Sequence, residues 1–189
     1  PLLINIGILK TGWCCELSTT SSGRARSRLG GFILLNGGCI YSASHRAAVS
    51  CYSTAEVALL ATSLIVRCLT NIRRLLYHVD GQHPPATDVR SDNTPALKQI
   101  RKRQLGNNMR HLRIALDGII TAIDSGDVKT KYINTAVNPA TTFASFEPAS
   151  LFNRNTSFVS GFTDTTAPDF TRLSRPDQKQ YIKTLKAQK

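Results

Sequence analysis

The strongest constraint on the fold of this 189-residue chain is a long apolar stripe that begins after Thr54. Apolar side chains recur there at spacings of three and four residues, at Leu60, Leu64, Cys68, Ile72 and Leu75. This periodicity predicts a long amphipathic helix that ends near His78 and buries one face. Ser53 or Thr54 can cap the helix, and Glu56 places a negative charge in its first turn, where the helix dipole favours it.

Short apolar segments on both sides of this helix predict the strands of a sheet. Residues 2–9 are mostly apolar and too short for a stable helix, which is typical of a buried strand. Two strands joined by the Asn-Gly pair at 36–37 predict a hairpin, because Asn and Gly tolerate the positive φ of a tight turn. Further strands are predicted over residues 47–51, 86–91 and 128–133.

Two further helices are predicted after the strand at residues 86–91. Asn93 can cap a helix over residues 94–104, and a second apolar stripe then follows at Leu112, Leu116, Ile119, Ile120 and Ile123. Without the short strand at 47–51, the element order is β-β-β-α-β-α-α-β, which indicates an α/β domain with a mixed sheet and helices packed against it. We assign this domain to residues 1–145.

Residues 146–189 are expected to form an extended tail. Residues 146–174 are rich in Ser, Thr, Asn and Phe without periodicity, and residues 176–189 could form a short basic helix. Because this segment has little apolar surface, we expect it to become ordered only against neighbouring molecules.

The charge balance favours polyanionic partners. Lys and Arg number 24 against 12 Asp and Glu, which gives a net charge of +12. Nucleic acid is the leading partner, and an anionic membrane surface is the second. No apolar run approaches the roughly 20 residues of a membrane span, so no membrane insertion is expected. The five cysteines show neither a CxxC pair nor the spacing of a zinc site, so no metal is expected there.

The cations concentrate in two regions. Arg24, Arg26 and Arg28 form the first, and residues 90–113 hold seven cations against Asp92 alone. Six of these seven are candidate nucleic-acid contacts: Lys98, Arg101, Lys102, Arg103, Arg110 and Arg113. We interpret both clusters as contacts to a phosphate backbone, which carries no base identity. The alternative is a solvated helix face.

Five short motifs occur in an order that matches one known family. They are Trp13 after the first strand, the hairpin around Leu34-Leu35-Asn36-Gly37, Ser53-Thr54-Ala55-Glu56, Ser91-Asp92-Asn93 with Ala96, and Ser125-Gly126-Asp127-Val128-Lys129 followed by Tyr132-Ile133-Asn134-Thr135. Together they resemble the ribonuclease H domain of copia-type retrotransposon polyproteins over residues 5–145. The resemblance implies a ribonuclease H-like α/β fold with a mixed five-stranded sheet flanked by helices, followed by an irregular basic C-terminal extension.

The same resemblance implies an altered active site. In that family, four acidic side chains hold two Mg²⁺ ions that drive cleavage of the RNA strand of a hybrid. Glu56 and Asp92 match two of these positions, whereas Lys10 and Thr141 stand at the other two. An ammonium group repels a divalent ion at close range. We therefore expect an inactive site that binds no metal, in which Lys10 pairs with Glu56 and Asp92.

Three functions are compatible with these features. The first is a noncatalytic ribonuclease H-like subunit, without a cofactor, that binds RNA or an RNA–DNA duplex in a larger, ribosome-like ribonucleoprotein and contacts neighbouring proteins through its tail. The second is an active Mg²⁺-dependent ribonuclease H, for which Glu16 is the nearest candidate for a further acid. The third is a protein-binding scaffold whose charge keeps it soluble. The expected compartment is intracellular, and an organelle is compatible with the sequence.

Overall fold

The computed structural model describes residues 27–35, 38–48, 51–135, 138–143 and 148–160. Within these ranges the chain forms four α-helices and two separate two-stranded sheets. The predicted strand over residues 2–9 lies outside the described part of the chain.

The first sheet is an antiparallel hairpin, as predicted. Strand β1 (Arg28–Leu35) pairs with β2 (Gly38–Arg46), and the register shifts after Ile33, so that the pairing skips Ile40. Six consecutive residues of β1 are buried, whereas most of β2 is exposed or half-buried. Burial on both faces is typical of a strand in the interior of a sheet.

The long helix is also confirmed. Helix α1 (Thr54–Asp80) begins after Ser53, whose side chain accepts a hydrogen bond from the Glu56 N–H. It ends at Gly81, which has a φ of 69° and donates its N–H to the Tyr77 carbonyl. The left-handed conformation at this position explains why a glycine terminates the helix.

The buried face of α1 differs from the predicted stripe. The residues of the predicted stripe are half-buried at best, and Leu75 is 64% exposed. The fully buried stripe runs through residues adjacent to the predicted ones and includes Leu59, Ile65 and Leu69. Four residues after Leu69, on the same face, that stripe ends in a buried charged residue, Arg73.

By length and composition α1 could cross a membrane, so the prediction that no apolar run reaches such a length is wrong for this segment. More than half of its apolar window, 56%, is buried inside the protein. Because a core helix meets the same criterion, these properties alone do not indicate insertion.

The second sheet is parallel and matches two predicted strands. Strand β3 (Thr87–Ser91) pairs in register with β4 (Val128–Tyr132), and helices α2 (Thr94–Lys102) and α3 (Arg113–Asp124) connect them. Asn93 caps α2 by accepting a hydrogen bond from the Ala96 N–H at 2.9 Å. The two helices therefore form where their caps and apolar stripes predict them. A 3-10 helix at 107–112 precedes α3.

A shared core joins the two sheets. Ile33 of β1, Val89 of β3 and Val128 of β4 belong to one cluster of buried residues, together with Leu59 and Leu69 of α1. The mixed α/β class is thus confirmed. The predicted five-stranded sheet is not seen in the described ranges, where β1 pairs only with β2 and β3 only with β4. Residues 47, 48 and 51, which were predicted as part of a strand, are not in one.

The region beyond residue 145 is more regular than predicted. Helix α4 (Ala149–Val159) follows a 3-10 helix, Pro139–Phe143. Val159 packs in a second buried cluster with Phe32 and Leu34, which project from β1. The expectation of an irregular segment is therefore wrong for α4, because its apolar residues find partners on a strand more than 100 positions earlier. A domain boundary at residue 145 stays a prediction, and residues 161–189 lie outside the described part.

Candidate acidic site and nucleic-acid interface

The Glu56 carboxylate is built into the start of α1. Ser53 and Glu56 have the Ser-x-x-Glu spacing of a capping box, in which both side chains satisfy free N–H groups of the first helical turn. The Tyr52 N–H donates to Oε2 of Glu56 at 2.9 Å, and the Ser53 hydroxyl donates to Oε1 at 3.2 Å. The Glu56 side chain is only 3% exposed. Its two oxygens therefore face the helix terminus.

Two titratable side chains lie beside this carboxylate. His111 Nε2 is 3.9 Å from Glu56 Oε2, and the two form an ion pair when the imidazole is protonated. Burial, and secondarily the negative charge of Glu56, raises the pKa of the Cys51 thiol. Cys51 is therefore kept neutral near Glu56, as a small half-buried residue.

Asp92 and Thr141 occupy other local networks. Asp92 directly follows β3, and its Oδ2 accepts a hydrogen bond from the Thr135 hydroxyl at 2.9 Å. The Thr141 hydroxyl donates to the Asn138 carbonyl at 2.7 Å within the turn that starts the second 3-10 helix. Lys10, the predicted partner of both acids, lies outside the described residues.

The described acids do not fit a pair of Mg²⁺ ions well. Both oxygens of Glu56 accept protein hydrogen bonds, which leaves each of them fewer lone pairs for a metal ion. Across the described ranges, no group of three or more His, Cys, Asp or Glu side chains is arranged to hold a metal ion. As placed, Glu56 acts as a helix cap.

Three predicted phosphate contacts share one face of α2. Lys98, Arg101 and Lys102 follow one another at i, i+3 and i+4, which brings them together on the helix surface. All three are exposed, and none forms an ion pair with another described residue. We call these three residues the α2 basic face.

The other predicted cations are less available. Arg103 forms a bidentate ion pair with Asp124, with N–O distances of 2.5 and 3.0 Å, and Arg113 pairs with Asp117 at 2.9 Å. Arg110 donates to the Asn107 side chain at 3.5 Å. A phosphate would have to displace the two ion pairs before it bound Arg103 or Arg113.

The charge count over residues 90–113 therefore overstates the local positive charge. Asp124 and Asp117 lie outside that window in sequence but neutralise two of its cations in space. Of the first cluster, Arg28 lies on β1 and donates to the Ser44 hydroxyl at 3.3 Å. Arg24 and Arg26 lie outside the described ranges.

No sequence pattern pointed to a second polar cluster, at the other end of α1. Arg73, 4% exposed, forms an ion pair with Asp127 at 3.0 Å. The only sequence signal was an arginine at a position where the apolar stripe continues from Leu69. The predicted stripe lies on a neighbouring face of α1 and therefore does not include this arginine.

Comparisons with protein-family models, curated proteins and solved structures gave no match.

Proposed function

We propose that this chain is a noncatalytic ribonuclease H-like protein that binds the phosphate backbone of RNA as a structural subunit of a larger ribonucleoprotein. The observation that carries this proposal is the α2 basic face, three exposed cations within little more than one helical turn of a chain with a net charge of +12. Such a face attracts a polyanion and releases its counterions. Phosphate contacts of this kind are indifferent to base sequence.

For this function we propose a fold in which the two small sheets belong to one larger sheet. β1 and β3 each pair on one edge with a described strand, and both contribute to the core beneath α1. Unpaired edges on strands of a buried core are costly, because their N–H and C=O groups need partners. We propose that a fifth strand, from outside the described residues, lies between β1 and β3. That strand would join the two small sheets into the ribonuclease H-like arrangement.

The burial and the hydrogen bonds of Glu56 support the proposed loss of catalysis. Its carboxylate is buried and hydrogen-bonded to the start of α1. The proposed pairing of Lys10 with the remaining acids would place a positive charge where the family holds a metal ion. Both features favour a folded protein that has lost hydrolysis.

A cleavage assay tests the absence of catalysis. We expect the purified protein to leave a labelled RNA–DNA hybrid intact in Mg²⁺ or Mn²⁺, because too few carboxylates are free to offset the charge of two metal ions. The Glu56→Gln/Asp92→Asn variant is the control for contaminating nucleases. Cleavage by the wild-type protein that this variant lacks would establish the active-enzyme alternative and overturn the proposal.

A binding assay tests the α2 basic face. We expect Arg101→Ala/Lys102→Ala to reduce the slope of log K against log salt for duplex RNA by about 2, since each phosphate contact contributes roughly 0.9. The matched control is Arg67→Ala/Lys129→Ala, which removes the same two residue types from exposed positions on other elements.

The control should bind with nearly the wild-type slope. An equal reduction of the salt slope in both variants would indicate nonspecific attraction by the net charge rather than contacts on α2. No RNA binding by the wild-type protein, even at low salt, would favour the scaffold alternative.

A further inference from the structure

A cavity of about 230 Å³ opens beside the C-terminal part of α1. Its walls come from the last turns of α1, from the loop before β3 and from the residue before β4. The side chains that matter for its chemistry are Arg73, Arg74, Tyr77, His78, His83 and Asp127. Apart from Asp127, they are two arginines and three aromatic rings.

The polar groups on the floor of the cavity are largely occupied by hydrogen bonds within the protein. Every nitrogen of the Arg73 guanidinium donates to a protein oxygen, and Asp127 accepts from Arg73 and from the Ser125 hydroxyl. The charges of Arg73 and Asp127 offset each other at 3.0 Å. A ligand would therefore be recognised by the other side chains.

The aromatic side chains form a small platform. The Tyr77 and His83 rings stack with their centroids 4.2 Å apart and their planes 19° apart, and His78 meets Tyr77 edge-on at 5.7 Å. Tyr77 is 38% exposed, and both histidines are exposed. A stacked pair with exposed rings can accept a further planar ring, and nucleobases stack on such side chains irrespective of base identity.

A cation lies beside this platform. Arg74 is exposed and forms no ion pair with any other described residue. The helix dipole disfavours an anion at the C-terminus of α1, but this effect falls off within the last turn. Arg74 precedes the end of the helix at Asp80 by six residues, more than one turn. A phosphate at Arg74 therefore avoids most of that penalty.

We propose that this cavity binds one unpaired nucleotide of RNA, with the base stacked on the Tyr77–His83 pair and a phosphate against Arg74. The inference rests on the proposed function, since both require RNA, but it assigns a separate site to single-stranded segments. The cavity volume of about 230 Å³ is smaller than the roughly 300–1,000 Å³ of pockets for drug-sized ligands, so the cavity has room for no more than one nucleotide.

Fluorescence anisotropy with labelled single-stranded and duplex RNA of equal length tests this site. We expect His83→Ala to weaken binding of the single strand roughly 5- to 150-fold, the range for loss of one stacking contact, and to leave duplex binding almost unchanged. His83→Phe keeps a planar ring and should restore single-strand binding. Arg74→Ala should weaken it as well, whereas Arg67→Ala, an exposed arginine on α1 outside the cavity, is the matched control.

The competing outcomes separate this inference from the proposed function. RNA binding that depends on the α2 basic face but is unaffected by His83→Ala and Arg74→Ala would overturn the nucleotide site alone. Failure of the wild-type protein to bind any RNA would overturn both. In competition, uridine monophosphate should displace the single strand at concentrations where inorganic phosphate does not. Equal competition by both would contradict base stacking.

Discussion

Replacing Arg73 with leucine is expected to lower the free energy of unfolding by about 3 kcal/mol, the lower end of the range for breaking a buried ion pair by removing one partner. For a chain of this size, that loss lowers the melting temperature by roughly 6–12 °C. We expect the lower end because the Asp127 side chain is 29% exposed and can be partly solvated.

The physical reason is the number of groups that Arg73 holds together. Its guanidinium donates to Asp127 Oδ1 at 3.0 Å, to the Pro84 and Pro85 carbonyls at 2.7 and 2.6 Å, and to the Thr87 hydroxyl at 2.9 Å. These bonds tie α1 to the segment that enters β3 and to the residue that precedes β4. Leucine fills the volume but leaves a carboxylate and two carbonyls without their donor, which is costly where they are buried.

Urea unfolding of matched variants measures this effect. Arg74→Ala removes the adjacent, exposed arginine and should change stability by less than about 0.5 kcal/mol. The stability of Arg73→Lys should lie between that of Arg73→Leu and that of the wild type, because an ammonium keeps the charge but cannot reproduce the planar, forked geometry of the guanidinium. Wild-type stability of Arg73→Leu would show that the network contributes nothing net.

The Arg73 network also shows why part of this fold escapes prediction from sequence. Helices α1, α2 and α3, the hairpin and the strands β3 and β4 follow from caps, turns and periodicity, all of which are local. The partners of Arg73 lie between 11 and 54 residues away. No local pattern identifies them. The face of α1 was misplaced for a similar reason, since the first turns of the helix are buried on most sides and only tertiary packing selects the core face.

The candidate site also combines local contacts, which the sequence can predict, with long-range contacts, which it cannot. The Ser53–Glu56 capping box and the i,i+4 pair of Arg113 with Asp117 are local, and their spacing alone could have predicted both. The ion pair of Arg103 with Asp124 spans 21 residues, so a count of charges along the chain could not reveal it. Helix α4 was not predicted because its buried residue Val159 packs against the distant strand β1. A contact of this kind leaves no periodic pattern in the local sequence.

Replacing Gly30 with alanine is expected to destabilise the protein by about 1–3 kcal/mol, as overpacking of a tight core does. A Cβ atom on Gly30 would lie 2.6 Å from the carbonyl carbon of Phe143 and 2.8 Å from its oxygen. Both are backbone atoms, so no change of rotamer can relieve the overlap. The gain from replacing glycine in a strand, roughly 0.5–1 kcal/mol, is smaller than this penalty.

Two other glycines provide matched controls for Gly30→Ala. A Cβ on Gly38 of β2 has its nearest contact at 3.7 Å, and one on Gly118 of α3 meets nothing within 4 Å. Gly118→Ala in the helix and Gly38→Ala in the strand should each raise stability by about 0.5–1 kcal/mol, because alanine loses less conformational entropy than glycine on folding. If thermal unfolding shows Gly30→Ala to be as stable as these controls, the close approach of the 3-10 helix at Pro139–Phe143 to β1 is contradicted. Adding Phe143→Ala to Gly30→Ala should not restore stability, since the overlapping backbone atoms persist in alanine.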